Sequence, residues 1–374
     1  MIPRVRIAHL PTPIEPLPRL GAALGGARLW VKRDDLTGLA GGGNKTRKLE
    51  YVLAEAQANG ARTLITVGAV QSNHCRQTAA LAARYGLGCI LVLSGEKEDQ
   101  PSGNLFLDHL FGAEIIHCTV QERNQVLQQV FEEAWAAGKR PYLIPLGAST
   151  PAGAFGYVTA FEEFLTQGID VDWIVVASSS AGTQAGLMLA ALKAGWAGKI
   201  LGISIDHPAA QLQLRVAELV NEAAERIGSK IRCQPAEVMV NDQYLGGGYG
   251  VLSSAEIEAI HLFAKYEGLL LDPVYTGRAA AALIDLIRKG FFKPQDRILF
   301  WHTGGTPALF AERYRALLVE GSALWFEQRA PGWAEVKIFI CGKTNQVSAV
   351  DGHHINIVIA TIRPAFKSEP VSIR

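Results

Sequence analysis

Little in this chain points to a disulfide framework, a metal centre, a polyanionic partner or a membrane. Its 374 residues include five cysteines (Cys75, Cys89, Cys118, Cys233 and Cys341), an odd and widely spaced set with no CxxC or Cys/His pattern. Free thiols in a reducing compartment are expected, and no bound metal. Neither sign of charge is in excess, with 36 Lys and Arg against 35 Asp and Glu, so neither a nucleic acid nor an anionic membrane is an expected partner. No apolar run approaches the roughly 20 residues that span a bilayer. The N-terminal stretch Met1-Ile2-Pro3-Arg4-Val5-Arg6 lacks the apolar core of a signal, and a cytoplasmic location is expected. Internal repeats and low-complexity segments are missing too. What is present is 49% hydrophobic content, enough for a large core, in a length that favours two lobes over one.

Strand-like and helix-like stretches alternate through most of the chain. Residues 9–20 carry Pro11, Pro13, Pro16 and Pro18 and read as an extended segment with few ladder donors. Strands are expected at 29–34, 63–67, 89–93, 115–120, 141–144, 173–177, 200–205 and 298–302. Helices are expected from 46 to 59, then at 73–85, 102–111, 121–137, 153–165, 183–194, 209–227, 255–266 and 278–289. Such alternation implies parallel sheets covered by helices, with sites at the C-terminal ends of the strands. After about Leu318 the helical periodicity fades, and 336–340 and 355–362 read as two further strand-like runs.

Four loops at strand ends are rich in glycine and hydroxyl groups. Gly41-Gly42-Gly43-Asn44-Lys45-Thr46-Arg47-Lys48 places Lys45 at a helix start, among backbone N–H groups that disfavour its charge, with Lys48 one turn on along the same face. Such a lysine suits a carbonyl cofactor held as a Schiff base. By itself the stretch equally fits a glycine turn before an ordinary solvated helix. Ser72 and Asn73 cap a helix whose free N–H groups suit a substrate carboxylate, although plain capping would explain them. The loop 178–186, with Ser180, Ala181, Gly182 and Thr183, suits a phosphate. It matches neither GxxxxGK[ST] nor GxGxxG, so a phosphate outside a nucleoside triphosphate is the better fit. Tyr275 in Asp272-Pro273-Val274-Tyr275-Thr276-Gly277 fits a packed aromatic as well as a site residue, and Gly304-Gly305 fits a turn or a rest for a flat ring.

In order, GGGNKTRKLE, VQSNH, SAGTQAG, GGGYG, LDPVYTG and HTGGTPAL over residues 5–318 resemble the pyridoxal-phosphate enzymes of the D-cysteine desulfhydrase and 1-aminocyclopropane-1-carboxylate (ACC) deaminase family. The resemblance implies the two-domain tryptophan-synthase-β-like α/β fold (fold type II), parallel sheets flanked by helices. It places a large domain at 1–47 and 158–318, a small one at 48–157, and a C-terminal extension at 319–374. It implies pyridoxal 5'-phosphate as cofactor, a small amino-acid substrate and a homodimer. By resemblance, Lys45 carries the cofactor, and Lys48, Ser180, Ala181, Gly182 and Thr183 hold its phosphate. Asn73 hydrogen-bonds its ring hydroxyl, Ser72 lies beside the substrate, and Tyr249 and Tyr275 stand near the reacting carbons. Tyr249 rests on the resemblance alone.

Two positions bear on the reaction. ACC deaminases read Tyr-Glu-Gly where this chain reads Tyr275-Thr276-Gly277; a neutral Thr276 holds no proton on the ring nitrogen by charge and makes a weaker electron sink. His74 stands where the deaminases tend to have glutamine. Both favour β-elimination from D-cysteine to pyruvate, ammonia and hydrogen sulfide. L-cysteate sulfo-lyase, ACC deaminase and a catalytically silent binding protein are the alternatives.

Overall fold

The computed structural model describes residues 2–327. Along the chain, β1 (Ile14–Pro16), α1 (Pro18–Ala23) and β2 (Arg28–Arg33) lead into α2 (Asn44–Ala58). Then come β3 (Thr63–Ala69), α3 (Asn73–Arg84), β4 (Gly88–Ser94), α4 (Gly103–Leu110), β5 (Glu114–Cys118), α5 (Arg123–Ala136), β6 (Pro141–Ile144) and α6 (Pro151–Thr166). The remainder is β7 (Trp173–Ser178), α7 (Gly182–Ala194), β8 (Lys199–Ser204), α8 (Ala209–Arg226), β9 (Met239–Asn241), α9 (Ser254–Glu267), α10 (Thr276–Arg288), β10 (Arg297–His302) and α11 (Glu312–Glu327).

The strands form a six-stranded sheet, β1-β2-β10-β7-β8-β9, and a four-stranded sheet, β5-β4-β3-β6. All pairings are parallel except β1 with β2. Period-two alternation sends neighbouring residues to opposite faces. On β7 and β10, Ile174, Val176, Leu299 and Trp301 pack into a core with α6 and α7, whereas Trp173, Val175, Ile298 and Phe300 pack into one with α9 and α10. On the smaller sheet, Leu64, Leu91 and Leu93 face one cluster, and Ile65, Ile90 and Val92 the other. Burial on both faces is why these strands read as continuous apolar runs.

In each sheet the strand order reverses once. β3, β4 and β5 step outward in one direction while β6 lies on the other side of β3; β7, β8 and β9 do the same while β10 lies on the other side of β7. Such a reversal opens a crevice at the carboxyl ends of the strands. The loops after β3 and β6 border one crevice and those after β7 and β10 the other; VQSNH follows β3, SAGTQAG follows β7 and HTGGTPAL begins at the end of β10.

Some elements depart from the expectations. The proline-rich segment contributes the antiparallel edge strand β1, and α1 begins at Pro18, where the missing N–H would have no helical partner. β9 is three residues long, too short for a periodicity to show. α11 runs to Glu327, beyond the fading near Leu318. The runs 336–340 and 355–362 lie outside the described residues. No helix among the described residues is long and apolar enough to cross a membrane.

Candidate active site

A cavity of about 730 Å³ lies against the strand-end loops, lined among others by Asn44, Lys45, Ser72, Asn73, Ser180, Ala181, Thr183, Tyr249 and Tyr275. Lys45 is the second residue of α2, which starts directly after Gly43 at φ 126°. A side chain at Gly43 would collide with the Gln77 amide, so glycine is needed for this entry. The Lys45 Nζ donates to Asn44 Oδ1 at 2.8 Å and lies 5.8 Å from the centre of the Tyr275 ring. Burial pulls its pKa down to about 8, against the attraction of Asp272 and with help from the Arg76 cation. Desolvation thus outweighs the charges around it.

One helical turn on, Lys48 is buried and hydrogen-bonds two neutral acceptors, Gly147 O at 3.1 Å and Ser149 Oγ at 3.2 Å. Burial, reinforced by Lys45, drives its pKa well below the ordinary value. A buried ammonium held by neutral oxygens is short of an anion. Ser149 Oγ also hydrogen-bonds Ser180 Oγ at 2.8 Å and accepts from Gly182 N at 3.2 Å. A Cβ on Gly182 would sit 2.7 Å from Ser149 Oγ and 2.8 Å from Lys48 Nζ, so the absent side chain keeps this cradle open. Ala181 has φ 70°, a left-handed backbone that alanine adopts at a cost of about 1 kcal/mol. The small side chains, the α7 N-terminus and the ammonium fit a phosphate dianion.

On the smaller sheet's side, Ser72 caps α3 by accepting from Cys75 N at 3.2 Å, which leaves its hydroxyl hydrogen for another acceptor. Asn73 Oδ1 accepts from Arg76 and Asn104, at 3.1 and 2.9 Å. His74 is buried, and its Nε2 lies 2.8 Å from Thr66 Oγ1. Because Thr66 gives its own proton to Ile144 O, Nε2 carries a hydrogen. Burial keeps this imidazole neutral.

Tyr249 and Tyr275 meet hydroxyl to hydroxyl at 2.7 Å. Burial raises both phenol pKa values, and Tyr249 further raises that of Tyr275, so both stay protonated. Tyr249 is 38% exposed and sits in the glycine loop before α9. Its placement comes from Arg278, which donates to Gly248 O at 3.1 Å and Val251 O at 3.0 Å, and from Tyr314, which donates to Gly250 O at 2.9 Å.

Thr276 is not brought to the cavity wall. It is fully buried, accepts from Asp272 N at 2.7 Å and gives its hydroxyl proton to Asp272 Oδ1 at 2.8 Å. Its one hydroxyl proton is thus committed to Asp272 and is not available to a ring nitrogen. Gly182 and Lys48 stand behind the wall, at the cradle. Asn44, Gly147 and Ser149 were missed in the sequence. Asn44 lies beside Lys45 and donates to Thr183 Oγ1 at 3.0 Å, and its place inside a glycine-led motif was the available signal. Gly147 and Ser149 sit in an undistinguished turn after β6, and only the crevice rule points to it.

A lysine of lowered pKa and an anion cradle at the strand ends of a parallel α/β body define a cofactor-dependent enzyme. The chain belongs to the family of pyridoxal-phosphate dependent enzymes, whose model matches residues 5–304. A solved ACC deaminase homologue is 39% identical, with a TM-score of 0.79 over 86% of this chain and 96% of that one. Threonine deaminase isoform 2 from Solanum lycopersicum, 16% identical with a TM-score of 0.60 over 85% of this chain and 84% of its own, shares the fold. So does a fungal L-serine ammonia-lyase from Rhizomucor miehei, 15% identical with a TM-score of 0.61 over 85% and 99%. The fold is that of the fold-type II enzymes, and the cofactor is pyridoxal 5'-phosphate.

Proposed function

We propose that this enzyme carries out β-elimination on a small sulfur amino acid, D-cysteine, to give pyruvate, ammonia and hydrogen sulfide. Lys45 would hold the cofactor, and Lys48, Ser149, Ser180, Ala181, Gly182 and Thr183 its phosphate. Bound there, pyridoxal phosphate supplies an aldehyde that captures an amine and a conjugated ring that accepts electrons from a breaking Cα–H bond. The chain's own groups do the rest. Lys45, lowered to about 8, is a base within reach of neutral pH and takes the α-proton. The Ser72 hydroxyl and the α3 N-terminus hold the substrate carboxylate. The protonated Tyr249–Tyr275 pair, in the same cavity, delivers a proton to the departing sulfur. Cα–H and Cβ–S bonds break, a Cα=Cβ bond forms, and one water replaces the nitrogen.

The start of α10 carries this reading against ring opening. Both oxygens of Asp272 are occupied, Oδ2 by Val274 N and Tyr275 N and Oδ1 by the backbone and hydroxyl of Thr276, and Thr276 itself is neutral. Among the described residues no free carboxylate stands at the start of α10 to protonate a ring nitrogen, and expulsion of a good leaving group needs that sink less than cleavage of a cyclopropane does. Residues 1–47 with 158–318, and 48–157, act as the large and small domains in this reading, in a cytoplasmic homodimer. Purified enzyme offered D-cysteine, L-cysteine, L-cysteate, β-chloro-D-alanine and ACC should release sulfide and pyruvate fastest from D-cysteine. A higher kcat/KM for 2-oxobutyrate from ACC, or for sulfite from L-cysteate, would overturn it.

A further inference from the structure

Asn73 belongs to a buried hydrogen-bond network and lines the cavity. Arg76, one turn further along α3, is fully buried, yet none of its hydrogen bonds goes to a carboxylate. Its Nη1 donates to Asn73 Oδ1 at 3.1 Å and Asn104 Oδ1 at 2.6 Å, its Nη2 donates to Gly42 O at 2.8 Å, and its Nε has no partner. Asn104, at the start of α4, is fully buried as well. Its Nδ2 donates to Asn73 Oδ1 and Gln71 O, both at 2.9 Å, and its backbone N–H to Gln71 Oε1 at 2.8 Å.

Counting donors and acceptors fixes the amides. Both hydrogens and the oxygen of the Asn104 amide are used, and Asn73 Oδ1 faces two donors, so it can only be the oxygen. What remains is Asn73 Nδ2; Asn73 lines the cavity, and a Cβ on Gly305 would come within 2.6 Å of this nitrogen. A buried guanidinium held by neutral oxygens destabilises a fold more than one paired with a carboxylate. Asp108, whose charge acts most strongly on Arg76, makes no hydrogen bond through either oxygen among the described residues, and burial raises its pKa well above the ordinary value. The Arg76 charge is thus met by neutral oxygens in its hydrogen bonds, with Asp108 and Asp272 acting on it only through space, and its Nη1 is directed at the Asn73 amide oxygen.

We propose that Arg76 is a positioning residue that acts through Asn73, locking the amide with Nδ2 toward the cofactor's ring hydroxyl and placing a fixed positive charge behind it. The proposal rests on the reading that Asn73 faces that hydroxyl. Lys45 and Lys48 from α2, His74 from α3, Asp108 from α4 and Asp272 before α10 bear on the same spot. Among these groups Arg76 alone reaches the Asn73 oxygen.

The test is the pH titration of the holoenzyme's visible absorbance, because removing a cation near a titrating group raises the pH at which its proton leaves. Arg76→Gln should raise the midpoint by about one pH unit, and Asn104→Ala should move it the same way by less. In an Asn73→Ala background the Arg76→Gln shift should fall below about a third of that value, as expected for partners in one network. An equal shift in both backgrounds, or none in the wild-type background, would overturn the relay. If Asn73→Ala alone leaves the midpoint in place, the reading of Asn73 fails and the proposal with it. Should Arg76→Gln not fold, Asn104→Ala decides by its own shift with and without Asn73.

Discussion

Helix α2 carries three cations within four residues, Arg47 and Lys48 buried and Lys45 half-buried, and they are treated in opposite ways. Arg47 bonds Asp34 through Nε at 3.0 Å and Nη2 at 2.8 Å, and Glu163 through Nη1 at 3.0 Å and Nη2 at 2.9 Å. Asp34 also accepts from Trp301 Nε1 and Tyr157 Oη, so β2, α2, α6 and β10 are tied at one carboxylate. Burial alone would raise the Asp34 pKa, but Arg47 and Lys32 outweigh it and hold it below the ordinary value. Lys45 and Lys48, on either side in sequence, have no such carboxylate, and burial drives both amines down. A satisfied ion network fixes the helix while its unsatisfied neighbours are left for a ligand. A strained or under-satisfied group next to a well-satisfied one is how a fold carries a reactive site.

Substitutions should separate the two kinds of cation. The largest effect belongs to Lys45→Ala, expected to lower kcat/KM by about 10⁴-fold or more in a steady-state assay and to abolish the visible band, while the apoprotein remains folded. Arg47→Met should cost about 3–5 kcal/mol of unfolding free energy in urea, because Asp34 and Glu163 are left without their partner. Lys48→Met should leave apoprotein stability in place or raise it, yet weaken pyridoxal phosphate binding roughly 10- to 100-fold, the worth of one or two charge-assisted hydrogen bonds. If Arg47→Met and Lys48→Met behaved alike in both assays, the contrast would be lost.

The pH responses should also diverge. Lys45 has a folded pKa near 8 and an unfolded value of 10.5, so between these values the unfolded chain holds more protons and this residue's contribution to stability rises with pH. Capture of pyridoxal phosphate by the apoprotein should accelerate through a midpoint near pH 8, read by stopped-flow absorbance. Asp34, lowered by its partners, contributes stability above the unfolded value of 3.8 that is lost as pH falls through its folded pKa. The smallest effect is expected at the cradle, where Ala181→Gly should relieve left-handed strain and raise the unfolding free energy by up to about 1 kcal/mol.

The two sheets were legible because their strands are buried on both faces and bounded by glycine-led helix starts, as at Trp173–Ser178 before Gly182. The three-residue strands β1 and β9 were not, since a period of two needs more than three residues to show. At the site, Lys45 was legible from its glycines, but the cause of its low pKa differs: the helix terminus was named, and desolvation ranks first. Ser149 and Arg76 were not legible. One lies in a turn with no motif, and the other is an ordinary helical arginine whose meaning depends on Asn104 and Gly42, distant in sequence. Thr276 was seen as a residue type, but its commitment to Asp272 depends on how the turn before α10 closes.

That one of these three cations, and that one alone, holds the cofactor can be tested by borohydride reduction of the holoenzyme followed by peptide mapping. The label should appear on the peptide carrying Lys45, at Lys45 and not Lys48; label at Lys48, or on a peptide from another part of the chain, would contradict it.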